Sequence, residues 1–154
     1  MEGFPDIINT NIIPARWNEM WTEQELLKNL QARPVLILTT PYQPDSPEAT
    51  QLQKMLDACK LQREDYNLLS INDNQLVNIS ILQQTFNLNT VFLIGVLPYQ
   101  LGIVADLALN YPNRFNDCIF IPALSLSAME QQPQFKSRLW NDALKPVFIE
   151  NKYK

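Results

Sequence analysis

VLILT, residues 35–39, is almost continuously apolar, and three further runs repeat the pattern: YNLLSI at 66–71, VFLI at 91–94 and CIFI at 118–121. None alternates apolar and polar residues as a half-exposed strand does. Continuous runs of this length suit strands buried on both faces, the condition of a parallel sheet covered by helices. Working outward from these runs, the intervening segments read as helices. Ser46-Pro47 has the form of an N-cap followed by proline in the first turn. Ala49, Leu52, Leu56 and Cys59 then share one helical face. Leu76, Ile79, Leu82 and Phe86 mark a second helix. Pro98 is expected to open a third, with Leu101, Val104, Ala105 and Ala108 on its inner side. Phe135, Leu139, Ala143 and Val147 recur every four residues in a last helix, with Trp140 beside them. Between the fourth strand and that helix, ALSLSAMEQQP reads as a polar loop. Before the first strand, Thr22 and Glu25 form a capping-box pattern ahead of Leu26, Leu27 and Leu30.

Strands that alternate with helices imply βαβ units with right-handed crossovers. The expected fold is therefore α/β, a three-layer α/β/α domain around a mostly parallel sheet of at least four strands. A chain of 154 residues suits one such domain. The expected division is an N-terminal arm at 1–21 and a single α/β domain at 22–150. The arm holds Pro5, Pro14, Trp17, Trp21 and several isoleucines without a clear period.

Composition narrows the function classes. The formal net charge is -4, whereas non-specific nucleic-acid binding comes mainly from Lys and Arg on phosphates. Direct nucleic-acid binding is not expected. Cys59 and Cys118 fall at apolar positions far apart and read as reduced core thiols. No Cys/His cluster has metal-ligand spacing, and no metal or cofactor is expected. Met-Glu-Gly opens the chain without a basic stretch and apolar run, so no signal peptide is read there. The longest apolar run, Val91 to Leu97, is too short to span a bilayer. A cytoplasmic protein without a membrane partner is expected.

Ligands of open parallel sheets bind beyond the carboxyl ends of the strands. Those ends are the loops Thr40–Ser46, Asn72–Gln75, Gly95–Pro98 and Pro122–Ser127. With three glycines in the chain, none of these loops is a phosphate cradle, which needs glycine for close backbone approach. Ser70, Ser80, Ser125 and Ser127 have no histidine to act as base, because the chain contains none. Asp45 and Asp73 lie on two strand-end loops, as a carboxylate pair or simply as turn and cap residues. Tyr42 is either a stacking platform or a packing residue.

The order of these features over about residues 34–148 resembles the uracil-DNA glycosylase-like superfamily. VLILTT followed by Pro41-Tyr42-Gln43-Pro44 is similar to the water-activating loop, in which Asp-Pro-Tyr-His follows the first core strand. YNLLSI with Asn72 resembles the strand whose terminal Asn reads the uracil edge. CIFIP with Ala123-Leu124-Ser125 resembles the His-Pro-Ser loop. Thr40, Gln43 and Ile121 stand where the family carries Asp, His and His. None can serve as a general acid or base. The resemblance therefore implies a degenerate pocket of Pro41, Tyr42, Asp45, Asn72, Pro122 and Ser125, and no enzyme.

A non-catalytic branch of this fold resembles the chain better: the psi-subunit family of the bacterial DNA polymerase III clamp-loader complex. LQKMLDACKLQREDYNLL resembles its first helix and second strand, and TVFLIG resembles the strand before its third helix. IPALSLSAMEQQPQFKSRLW resembles its ending of proline, leucine, spacer, basic residue, leucine and tryptophan. The likeness implies a replisome interaction subunit that bridges the clamp loader and another protein. Its arm, through Ile12, Ile13, Trp17 and Trp21, would meet the clamp-loader ATPase subunit. The alternative is a catalytically dead glycosylase-like domain that binds nucleic acid or a small ligand at the strand-end loops.

Overall fold

The computed structural model describes residues 30–115 and 117–153. The arm at 1–21 and the capped segment at 22–29 lie outside them. The chain runs β1 (Val35–Thr39), α1 (Pro47–Ala58), β2 (Tyr66–Ser70), α2 (Ile79–Phe86), β3 (Thr90–Ile94), β4 (Asn113–Phe115), β5 (Cys118–Ala123), α3 (Leu126–Gln131) and α4 (Pro133–Leu139). A π-helical segment, Trp140–Ile149, continues α4. The strands form one sheet in the order β2-β1-β3-β5-β4. The first four are mutually parallel, and β4 is an antiparallel edge on β5.

The apolar runs of β1, β3 and β5 become strands because both of their faces find cover. β2, expected to be buried on both faces, is instead an edge strand with Leu68 exposed and Tyr66 and Leu69 half-buried. In β1, Val35 and Ile37 enter one core while Leu36 and Leu38 enter the other. In β3, Phe92 and Ile94 go one way and Val91 and Leu93 the other. The first core is closed by Leu52, Leu56, Met129, Leu139 and Ala143, so α1, α3, α4 and the π-helical segment cover that face. The second is closed by Ile79, Leu82, Leu101 and Ile103, from α2 and the connection after β3. Three layers, α/β/α, result. The steps β1 to β2 and β2 to β3 run in opposite directions across the sheet with their helices on opposite faces. That is what a constant crossover hand requires.

Local chemistry sets most boundaries. The Ser46 side chain accepts from Ala49 N at the start of α1, with Pro47 in the first turn. Asn78 accepts from Ser80 N and Ile81 N at the start of α2, and α2 ends on Asn87 in the left-handed region, φ 54°. Leu76 precedes α2 and is exposed, not on its inner face as the pattern suggests.

Three expectations are corrected. Pro98 opens only a 3₁₀ turn, Pro98–Leu101, which Gly102 closes at φ 77°. Leu101 is buried there, but Val104 is 98 % exposed and Ala105 and Ala108 are exposed too. Gln100 explains the stop. Its amide is 2 % exposed and donates to Asn72 O and Gln75 O, while its Oε1 accepts from Leu97 N. Burying a side chain in three backbone bonds favours this turn over a continued helix. The second correction is α3, which forms inside the expected loop because Ser125 Oγ caps it through Ala128 N. The third concerns the last helix. In an α-helix a four-residue repeat drifts about 40° per step. The widening from α to π at Trp140 suits that repeat, and Leu139, Ala143 and Val147 all face the core. A bond from Glu150 N to Lys145 O marks the wider turn.

Cys59 and Cys118 are free and buried. They lie in different cores on opposite faces of the sheet and cannot bridge. Burial pushes the Cys59 thiol up to about 12. Burial also raises Cys118 to about 11, against hydrogen bonds with Gln83 and Ile119 that lower it. Both thiols should therefore resist an aromatic disulfide reagent at pH 8 in the folded chain and react at once in denaturant. Their folded values lie above the ordinary 9.0. Stability should consequently fall as pH rises past about 9, where the unfolded chain releases thiol protons and the folded one does not. Fast native labelling, or stability flat from pH 8 to 10 in urea melts, would contradict this.

Candidate functional site

The sheet reverses its winding between β1 and β3. The chain leaves β1 towards β2 and leaves β3 towards β5, so the crevice beyond their carboxyl ends is the switch point where such folds hold ligands. Three loops converge on it. Thr40 N donates to Ile94 O at 3.2 Å, and Gly95 N donates to Ala123 O at 2.9 Å. Ser125 closes over Gly95 so tightly that a Cβ there would stand 2.8 Å from Ser125 Cβ and 3.2 Å from Thr40 Cγ2. Gly95 also has φ 74°. Ser125 and Thr40 thus pack directly over Gly95 at the crevice.

The expected pocket residues divide accordingly. Pro41 and Tyr42 do line a depression of about 350 Å³ beside the crevice, with Thr40, Gln43, Glu48 and Ser127. Tyr42 is half-buried and also borders a shallow hollow between α1 and β2. Burial, and secondarily the neighbouring Tyr66, raises its phenol above the usual range. Ser125 sits at the crevice, but its Oγ is committed to capping α3 and lies 3.4 Å from Ser127 Oγ. Asp45 is exposed on the loop before the Ser46 cap.

Asn72 and Pro122 do not join them. Asn72 follows β2 at the sheet edge, three strands away from β5. Its Oδ1 accepts from Asn74 N, folding the loop on itself. Pro122 is not a loop residue: β5 runs on to Ala123, and Pro122 pairs with Leu93 inside the sheet. Proline is tolerated there because β4 pairs only with Cys118, Ile119 and Phe120. The Pro122 carbonyl instead accepts from Asn110 N at 2.7 Å, so its missing N–H faces that connection and not β3. Ile121 is fully buried in the first core.

Chemically, the strand ends offer hydroxyls, one half-buried carboxylate (Glu48) and a tyrosine. No Lys or Arg stands on the four loops. Among the described residues no group of three or more His, Cys, Asp and Glu is placed to hold a metal ion. No described helix is long and apolar enough to cross a membrane.

A cavity that the sequence did not announce lies at the opposite end. It measures about 320 Å³ and opens at the amino ends of β1, β3 and β5, beside Cys59, Lys60 and Arg114. Arg114 Nη2 donates to Tyr153 O at 2.6 Å across its mouth. Lys60, Asp117 and Asn151 on its walls all have positive φ. These residues come from separate turns without a common period, so no pattern in the chain groups them. Comparison with known protein families, curated proteins and solved structures finds no match to this chain.

The crowding at Gly95 is testable. Gly95→Ala should cost roughly 2–4 kcal/mol, combining left-handed strain with overpacking. Gly102→Ala, at a similar φ but with open space around it, should cost only about 1–2 kcal/mol. Equal losses in urea denaturation would mean that the crevice is not packed as described.

Proposed function

We propose that this chain is a non-catalytic interaction protein, and that its place is that of a psi-like subunit bridging the clamp loader to another replisome protein. The observation behind the first part is the connection from β3 to β4. Along residues 97–111 it exposes Leu97, Tyr99, Val104, Leu109 and Tyr111, each at least 46 % accessible. Large apolar residues exposed this densely mark interaction surfaces more often than ordinary surface. Their exposure has a cause within the fold: Gln100 holds the chain in a short turn, so these side chains are not folded inward.

The packed switch point supports the same reading. A ligand there would have to displace Ser125 from Gly95, and the positions that carry acid/base residues in glycosylase-like sites hold Thr40, Gln43 and the buried Ile121. The second part, the clamp-loader assignment, rests on the resemblance of LQKMLDACKLQREDYNLL, TVFLIG and IPALSLSAMEQQPQFKSRLW to the psi family. The proposed arm contacts, Ile12, Ile13, Trp17 and Trp21, belong to that part. The alternative, a dead glycosylase-like domain on nucleic acid, has no cationic strand-end loop to recommend it.

Calorimetry of the full chain against the clamp-loader ATPase subunit from the same cell tests both parts. Tight binding is expected. Trp17→Ala with Trp21→Ala should weaken it at least tenfold while the thermal melt is unchanged, and removal of residues 1–21 should abolish it. Tyr99→Asp with Val104→Asp should leave that binding intact and instead impair capture of the second replisome protein. A folded full-length chain that ignores the ATPase subunit would end the clamp-loader assignment.

A further inference from the structure

On the first face of the sheet, α1 and the last helix leave between them an apolar slot of about 220 Å³. From α1 come Gln51, Lys54, Met55 and Ala58, the i, i+3, i+4, i+7 stripe of one helical side. From the facing helix come Lys136, Trp140 and Leu144, at four-residue spacing across the change from α to π. Trp140 is half-buried rather than sealed in the core.

Gln51 sets this slot apart from an ordinary groove. It is 4 % exposed, and neither its Nε2 nor its Oε1 has a hydrogen-bond partner among the described residues. Buried polar groups are nearly always paired, so an unpaired amide sealed just behind the wall of the slot calls for a partner. A carboxamide presents one acceptor and two donors, the complement of a peptide unit. Lys54 and Lys136 stand at the rim, and neither is paired with a carboxylate among the described residues. They form a local cationic pair on a chain of net charge -4. An apolar cavity of about 150 Å³ holds a benzene ring, so this slot has room for one aromatic side chain.

We propose that the slot binds an acidic peptide segment of a partner protein, which inserts one aromatic side chain between Met55, Trp140 and Leu144. The flanking carboxylates of the peptide meet Lys54 and Lys136, and binding turns the Gln51 amide, sealed behind the slot wall in the free chain, towards the peptide backbone. This deepens the interaction-protein reading and rests on it, but it uses the folded domain and not residues 1–21. Its test is therefore separate from the ATPase-binding experiment.

The probe is a fluorescein-labelled nonapeptide, Asp-Glu-Asp-Glu-Phe-Glu-Asp-Glu-Asp, titrated with the full chain and read by anisotropy. It should bind at least tenfold tighter than the same peptide with Ala for Phe, and tenfold tighter than one with Asn and Gln for the acids. Binding should weaken as salt rises. Lys54→Glu with Lys136→Glu should reduce affinity at least tenfold. Gln51→Leu should keep the melting temperature or raise it, yet bind the peptide several-fold more weakly. If that core variant fails to fold, the lysine pair at the surface still decides. No binding, equal binding of the Ala peptide, or indifference to the lysine variants would overturn the proposal. So would a dimer in sedimentation that Trp140→Ala dissolves, which would assign the slot to a second copy of the chain.

Discussion

Burial of β1 on both faces is the constraint from which the remaining structure follows. Val35, Leu36, Ile37 and Leu38 are each at most 5 % exposed and alternate between two cores. Each such side chain contributes about 1.5–3 kcal/mol when fully removed from water. That contribution exists only if helices cover both sides. β1 therefore needs parallel neighbours on each flank, and parallel neighbours need crossovers long enough to carry those helices. The order β2-β1-β3-β5 meets that demand with α1 on one face and α2 on the other.

The second face is closed differently from the first. Where a third crossover helix would be expected, a single buried amide organises the chain. Gln100 ties its own turn to the loop after β2, and Val77 N donates to Gln100 O at 2.7 Å. The core beneath receives Val96, Leu101 and Ile103, while Leu97, Tyr99 and Val104 point outward. A polar tie inside an apolar layer thus makes both the seal and the exposed surface, and it relates the fold directly to the interaction reading.

At the strand ends the fold itself occupies ground where such sheets often hold ligands. A parallel sheet with this winding places its natural crevice between β1 and β3. Here Gly95 admits Ser125, and Ser125 spends its hydroxyl on a helix cap. The space over Gly95 and the Ser125 hydroxyl are both taken up by the fold. Unsatisfied capacity lies elsewhere, in the Gln51 amide between two helices.

The four parallel strands, the Ser46 cap and the separation of the two thiols were all legible in the chain, because each depends on neighbouring residues or on unbroken apolarity. The antiparallel β4 was not, since NRF has no strand-like pattern and exists by pairing with β5. The helix expected after Pro98 failed for the opposite reason: its period was plausible, but Gln100 gains more from backbone groups remote in sequence. For the candidate site, the sequence placed Tyr42 and Ser125 at strand ends, but could not know that strand order sets the β2 end that carries Asn72 three strands away from the β5 end that carries Ser125. By itself the sequence determined which segments must be buried, through local periodicity and capping. Only the tertiary structure decided which side chains share a crevice, a cavity or a slot. Those groupings arise from strand order and long-range hydrogen bonds, which leave no periodic trace along the chain.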